Sequence, residues 1–113
     1  MSQHDDAARL RHMIDYAREA VQMCEGCVRE DLDRDRMLNL SLVRLIEIVG
    51  EAASRVSEAL QLAHPEVPWR KIAGTRNRLV HGYDDVNFDI LWNTIQDDLP
   101  PLIDQLQTIL ADK

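Results

Sequence analysis

Aliphatic residues recur every three or four positions through the middle of the chain, at Leu38, Leu42, Leu45, Val49, Ala52, Val56 and Ala59. That is the period of a helix, not the period of two that marks a strand. Leu40, Ile46, Ile48 and Leu60 widen the stripe beyond one face, so this segment should be a central helix covered on more than one side. The same spacing at Leu10, Ile14, Ala17, Val21 and Cys24 predicts a first helix from about Asp6 to Cys24, or to Val28 if it continues past Gly26. Acids crowd its start, as the helix macrodipole prefers, and the acidic stretch REDLDRDR leads from it into the central helix. Pro65 and Pro68 in HPEVP should end that helix. Pro68 then suits the first turn of a third helix, PWRKIAGTRNRLVHGY, with Gly82 as its terminator. A fourth begins near VNFDILW and carries Leu91, Ile95, Leu99, Leu102, Leu106 and Ile109. Pro100 and Pro101 should kink or split it, because proline removes an interior N–H and clashes with the preceding turn. The expected architecture is all-α, an antiparallel bundle of four helices, or five if the last counts as two, forming one domain over residues 1–113.

Bulk properties narrow the classes of function. A chain of 113 residues can build one core and has little area for a second, so an elaborate cleft calls for a partner chain. Hydrophobic residues are 45% and aromatics only 4%, which favours aliphatic helix packing over a β-sandwich, and Trp69 and Trp92 fall within apolar helical patterns that make them core anchors. No run of about 18 apolar residues exists and MSQHDDAARLRHMIDY has no apolar signal core, so a cytoplasmic protein is expected. The two cysteines, Cys24 and Cys27 in CEGC, invite a zinc or redox reading. A structural zinc site needs four ligands, and no second cysteine pair or closely spaced histidine pair completes the set. Packed, reduced cysteines are the expectation, a redox-sensitive pair the alternative, and no metal or cofactor is implied. His4, His12 and His64 are isolated and expected to be solvated.

Charge points to one segment. The chain totals −7, a sign that repels nucleic acid at long range, so any RNA contact must use a local basic patch. Between Glu66 and Asp84 the only charged residues are Arg70, Lys71, Arg76 and Arg78, which makes this segment +4 and leaves the remainder at −11. Cations at a helix C-terminus are stabilising by roughly 0.3–1 kcal/mol each, which accounts for Arg78 and His81 better than for Arg70 or Lys71 in the first turn. On a regular helix Arg76 and His81 lie about 140° apart, so one straight helix does not aim both at one point. Either the helix frays toward Gly82 and swings His81 round, or a second protomer supplies the missing group across a two-fold axis. Arg44, Glu47, Glu51, Arg55 and Glu58 form a charged stripe on the central helix, read as solvated or as a dimer contact, with Glu47 or Glu51 as the alternative orienting group for Arg76. Asn77, one turn before His81, is either a surface amide or a holder of the imidazole ring.

RNRLVHGY resembles the R-x4-H-x-Y motif of the HepT-like toxins, a branch of the HEPN domains, with Arg76, His81 and Tyr83 at the three fixed positions. RLIEIVGEAASRVS is similar to that family's long second helix, PWRKIAGTRNRLVHGY to its motif helix and LWNTIQDDLPPL to its C-terminal helix, so the resemblance covers most of the chain from about Met37 onward. It departs at Asp84, where an apolar or aromatic residue is common, and at Asn87, where an acid is common. The resemblance implies a HEPN-like helical bundle and a homodimer with two R-x4-H motifs facing each other in a cleft. It also implies a metal-independent endoribonuclease acting as a toxin beside an MntA-type minimal nucleotidyltransferase antitoxin, which would silence it by transferring AMP to Tyr83. A non-catalytic HEPN subunit of a nucleotidyltransferase complex is the alternative.

The residue types suit that chemistry. RNA carries its own nucleophile in the 2′-OH, so cleavage needs proton transfer and compensation for charge building on phosphorus. An imidazole, which unperturbed titrates near 6.5, makes His81 the general acid/base, a role worth about 10² to 10⁴ in rate. The planar guanidinium of Arg76 suits the phosphate oxygens and the transition state. Arg70, Lys71 and Arg78 would steer the RNA backbone. For Tyr83, packing against Leu79 is the plain reading of the residues, and a hydroxyl open to nucleotidylation the reading that the resemblance favours.

Overall fold

The computed structural model describes residues 3–112; the His4 side chain lies outside the described residues. Helix α1 (Gln3–Met23) presents Leu10, Met13, Ile14, Ala17 and Ala20 to the core and stops at a turn in which Gly26 takes a φ of +79°. The chain thus turns before Val28. A short helix, α2 (Asp31–Arg34), forms inside the acidic connection because Leu32 has an apolar site to fill. Its carbonyl accepts the Asn39 amide at 2.8 Å, and Asp35 caps the next helix by accepting from Leu38 N–H at 3.0 Å.

Helix α3 (Arg36–Ser54) is the predicted central element, with α1 along one side and α5 (Trp69–Ala73) and α6 (Thr75–Leu79) against another. It ends earlier than its apolar spacing suggests. The chain breaks at residues 55–57 and restarts as α4 (Glu58–Ala63), capped by the Ser57 hydroxyl. The cause is distant in sequence: the buried Asp6 carboxylate accepts Ser57 N–H at 2.8 Å and Ser57 Oγ–H at 2.6 Å. Such charge-assisted bonds contribute roughly 1.5–3 kcal/mol each, enough to outweigh the helical bonds lost at the break. The break also resets the helical phase. Leu60 becomes the buried residue of α4, while Ala59 and Glu58 are exposed and Glu58 leaves the stripe it was assigned to.

The C-terminal third forms α7 (Phe88–Asn93), a π turn (Thr94–Asp98) and α8 (Leu99–Ala111). All six predicted core positions, from Leu91 to Ile109, are buried. The prolines split the helix as expected. Pro100 and Pro101 sit in the first turn of α8, and the wider turn before them lets Leu99 N–H bond to the Thr94 carbonyl. Buried side chains of all these helices join one cluster, in which Trp69 is buried with its indole N–H donating to the His64 carbonyl at 3.0 Å, while Trp92 is half-buried at the edge. The molecule measures 42 × 30 × 20 Å, and its short axis is two helix diameters. No helix among the described residues is long and apolar enough to cross a membrane. Cys24 and Cys27 are free thiols; burial, with Cys27 beside it, pushes the Cys24 thiol up to about 11.

Candidate functional site

The motif segment begins with a close approach. Gly50 on α3 has no side chain, and a Cβ there would lie 3.0 Å from the Ile72 carbonyl oxygen and 3.5 Å from that of Ala73. Helix α5 therefore lies directly against α3, fixed by buried Trp69 and Ile72, and carries α6 with it. Between the two helices, Thr75 Oγ1 donates to the Lys71 carbonyl at 2.8 Å and accepts from Arg78 Nη2 at 3.1 Å.

The expected third helix does not reach Tyr83. Helix α6 ends at Leu79, and Val80 turns to extended backbone at φ −108°, ψ 118°. A two-stranded antiparallel hairpin follows, β1 (Val80–His81) and β2 (Asp85–Val86), with His81 opposite Asp85 and Val80 opposite Val86. Gly82 is the turn residue of that hairpin, at φ +85°, and not a helix terminator. Asn87 N–H closes the hairpin base on the Leu79 carbonyl at 2.8 Å, and the Asn87 side chain caps α7 by accepting from Ile90 N–H at 3.1 Å. The amide oxygen thus caps α7 as the Asp35 carboxylate caps α3. Arg29 braces the same region through Asp89 at 2.7 Å and Asp33 at 3.1 Å.

Arg76, on α6, donates its Nε to Glu47 Oε2 at 2.7 Å. Glu47 stands one helical turn before Gly50 on α3, with its side chain 25% exposed, so the carboxylate is held by packing while the arginine retains free donors. Glu51, the other candidate for this role, instead pairs with Arg55 at 2.9 Å, four residues further along the chain. His81 is exposed on β1, and among the described residues its side chain has no hydrogen-bond partner. Asn77 is exposed on α6 and makes no hydrogen bond to it. Tyr83 is 96% exposed at the hairpin tip, so it does not pack on Leu79, which is fully buried beneath.

The four cations of this segment are not equivalent. Arg76 is neutralised by Glu47, and Lys71 by Asp98 at 3.3 Å across the π turn. Arg78 bonds only to neutral oxygens, Thr75 Oγ1 and the Lys71 carbonyl, and Arg70 is exposed with no ion pair among the described residues. Among the described residues, positive charge of this segment without a carboxylate partner therefore rests on Arg70 and Arg78, while Arg76 keeps guanidinium donors beyond its bond to Glu47. Among the described residues no group of three or more histidines, cysteines or acids is arranged to hold a metal ion. Three residues that shape the segment or the helices around it escaped the sequence reading: Gly50, Asp98 and Asp6. Only Gly50 had a signal, a lone glycine inside a strong helical pattern, which marks close packing as readily as a weak point.

The profile of the HepT-like family, described as ribonuclease HepT-like, matches residues 13–109. A protein of Caldanaerobacter subterraneus subsp. tengcongensis named "Putative RNase TTE0752" is 36% identical over 101 residues, covering 89% of this chain and 90% of its own. One of Thermococcus cleftensis named "Probable ribonuclease HepT" is 35% identical over 88 residues, covering 74% of this chain and 80% of its own. No solved structure matches. With the matched stretch spanning α3, the Arg76–Glu47 pair and the His81 hairpin, the chain belongs to the HepT-like ribonuclease family.

Proposed function

We propose that this protein is a metal-independent endoribonuclease whose working form is a homodimer, with Arg76 and His81 of two facing protomers forming the site. The observation that carries this reading is the contrast within the motif: Arg76 is oriented by Glu47 with donors to spare, while His81 and Tyr83 are exposed and unpartnered. His81 takes the proton from the ribose 2′-OH or gives one to the leaving oxygen, and Arg76 compensates the charge that builds on the phosphoryl oxygens. Because the nucleophile belongs to the RNA, no activated water is needed. A monomer two helices thick has no room for a deep cleft, which supports a site completed by a second copy. Replacing His81 or Arg76 by alanine should abolish RNA cleavage and growth arrest while both variants keep wild-type secondary structure and dimer mass. Wild-type cleavage by either variant would sink the proposal.

In the same reading the protein is a toxin neutralised by a minimal nucleotidyltransferase that transfers AMP to Tyr83. The nearly complete exposure of that hydroxyl supports it, since a transferase can reach it without unfolding the chain. An adduct would add bulk and negative charge beside His81 and exclude RNA. Intact-mass measurement with and without the transferase, followed by peptide mapping across residues 76–90, tests it: a partner-dependent gain of AMP on Tyr83 is expected, and an unmodified Tyr83 with active enzyme and ATP overturns it. The exposure of Tyr83 equally favours a second reading, a non-catalytic subunit that displays this tyrosine to the transferase. Expression of the protein alone separates them, because only the toxin arrests growth.

A further inference from the structure

On the face of α3 from Arg44 to Arg55, the residue after the helix, a cavity of about 350 Å³ opens toward α1. Arg9 and His12 of α1 line one side, Arg44, Glu51 and Arg55 the other, with Ile48 at the wall between. Three guanidinium groups share one carboxylate there, in a chain that is −7 overall. Glu51 is already bound to Arg55 at 2.9 Å. Arg44 has an acid only at 3.9 Å, Glu47 Oε1, beyond hydrogen-bond range. The Nε of Arg9 is buried and has no hydrogen-bond partner among the described residues. A buried donor left unmade costs free energy, and acids abound in this sequence to satisfy one, so these arginines are arranged for an anion that arrives from outside.

Glu47 joins this pocket to the motif, since its two carboxylate oxygens face Arg44 on one side and Arg76 on the other. We propose that the Arg9–Arg44–Arg55 pocket holds a backbone phosphate of the same RNA strand whose cleaved phosphodiester lies at Arg76 and His81, which rests on the ribonuclease reading above. A phosphate suits the lining better than a nucleobase does, because the only ring it offers is the His12 imidazole. Phosphate contacts of this kind set the register of a strand and carry no sequence information.

The test measures binding of two non-cleavable RNA probes with 2′-deoxy substitution, a dinucleotide too short to span both sites and a longer oligomer, over a range of salt. For both Arg9→Gln and the more exposed Arg44→Gln, the longer oligomer should bind about tenfold more weakly, as for one lost charge-assisted hydrogen bond, and the dinucleotide should change by less than about twofold. The slope of log affinity against log salt should fall by about 0.7, the single-strand value for one phosphate. Equal losses on both probes, or no loss in either variant, would overturn the pocket assignment while leaving the ribonuclease reading intact. A change in oligomer mass with an unchanged length dependence would overturn it too, assigning the arginines to subunit contact. A wild-type protein that neither binds nor cleaves RNA removes the ribonuclease reading and the pocket assignment together.

Discussion

Arg76 and His81 lie five residues apart, yet the molecule treats them in opposite ways. Arg76 stands on a helix that is packed on α3 through Gly50 and is fixed by a 2.7 Å pair with a half-buried glutamate. His81 sits in a hairpin of two residues per strand, held by backbone bonds and the Asn87 closure, with its side chain in solvent. The anchored half inherits the stability of the core, while the hairpin has few buried contacts of its own and belongs to the low-stability end of the structure. In the proposed ribonuclease, such a division would position Arg76 in advance and leave His81 to adapt to the RNA.

The largest effect that would break this contrast is on rate. His81→Ala should abolish measurable RNA cleavage, a loss of at least about 10² to 10⁴, with no change in thermal midpoint, since the side chain is exposed and makes no hydrogen bond among the described residues; a lower midpoint would mean the hairpin is structural after all. Asp6→Ala should show the reverse, destabilising the fold by about 2–4 kcal/mol in denaturant unfolding because two charge-assisted bonds to Ser57 are lost in a buried site. Gly50→Ala couples the halves. Its Cβ pushes α5 off α3, costing about 1–3 kcal/mol of stability, and because α6 moves with α5 the cleavage rate should fall as well. The smallest change is Glu47→Gln, a partly exposed pair worth under about 1 kcal/mol of stability. It should lower kcat about tenfold by releasing Arg76 while KM stays level or drops, since a nearby negative charge is gone. A rise in KM alone would show that Glu47 shapes RNA binding and not the arginine.

The helical core was legible because its information is local. Leu91, Ile95, Leu99, Leu102, Leu106 and Ile109 declare one face by spacing alone, and all are buried despite an intervening π turn. The central helix was overextended because the acceptor that breaks it, Asp6, is 51 residues from Ser57, and no window of sequence contains both. Of the site, Arg76 was singled out by local charge and by the motif resemblance. Helical spacing gave the charged stripe that carries Glu47, read first as solvated or as a dimer contact, with Glu47 or Glu51 as the alternative partner of Arg76. The pair observed is with Glu47. The hairpin was not legible. Val80, Gly82 and Val86 carry the β-branched residues and turn glycine of a short ribbon, but the strong helical phase before them masked a pattern only two residues deep.

Tyr83, at the outermost point of that ribbon, contributes almost no contact to the native state. The folding equilibrium is therefore indifferent to what is attached there. Under the proposed transfer of AMP to Tyr83, the modified chain would stay folded, and loss of the adduct would need no refolding step.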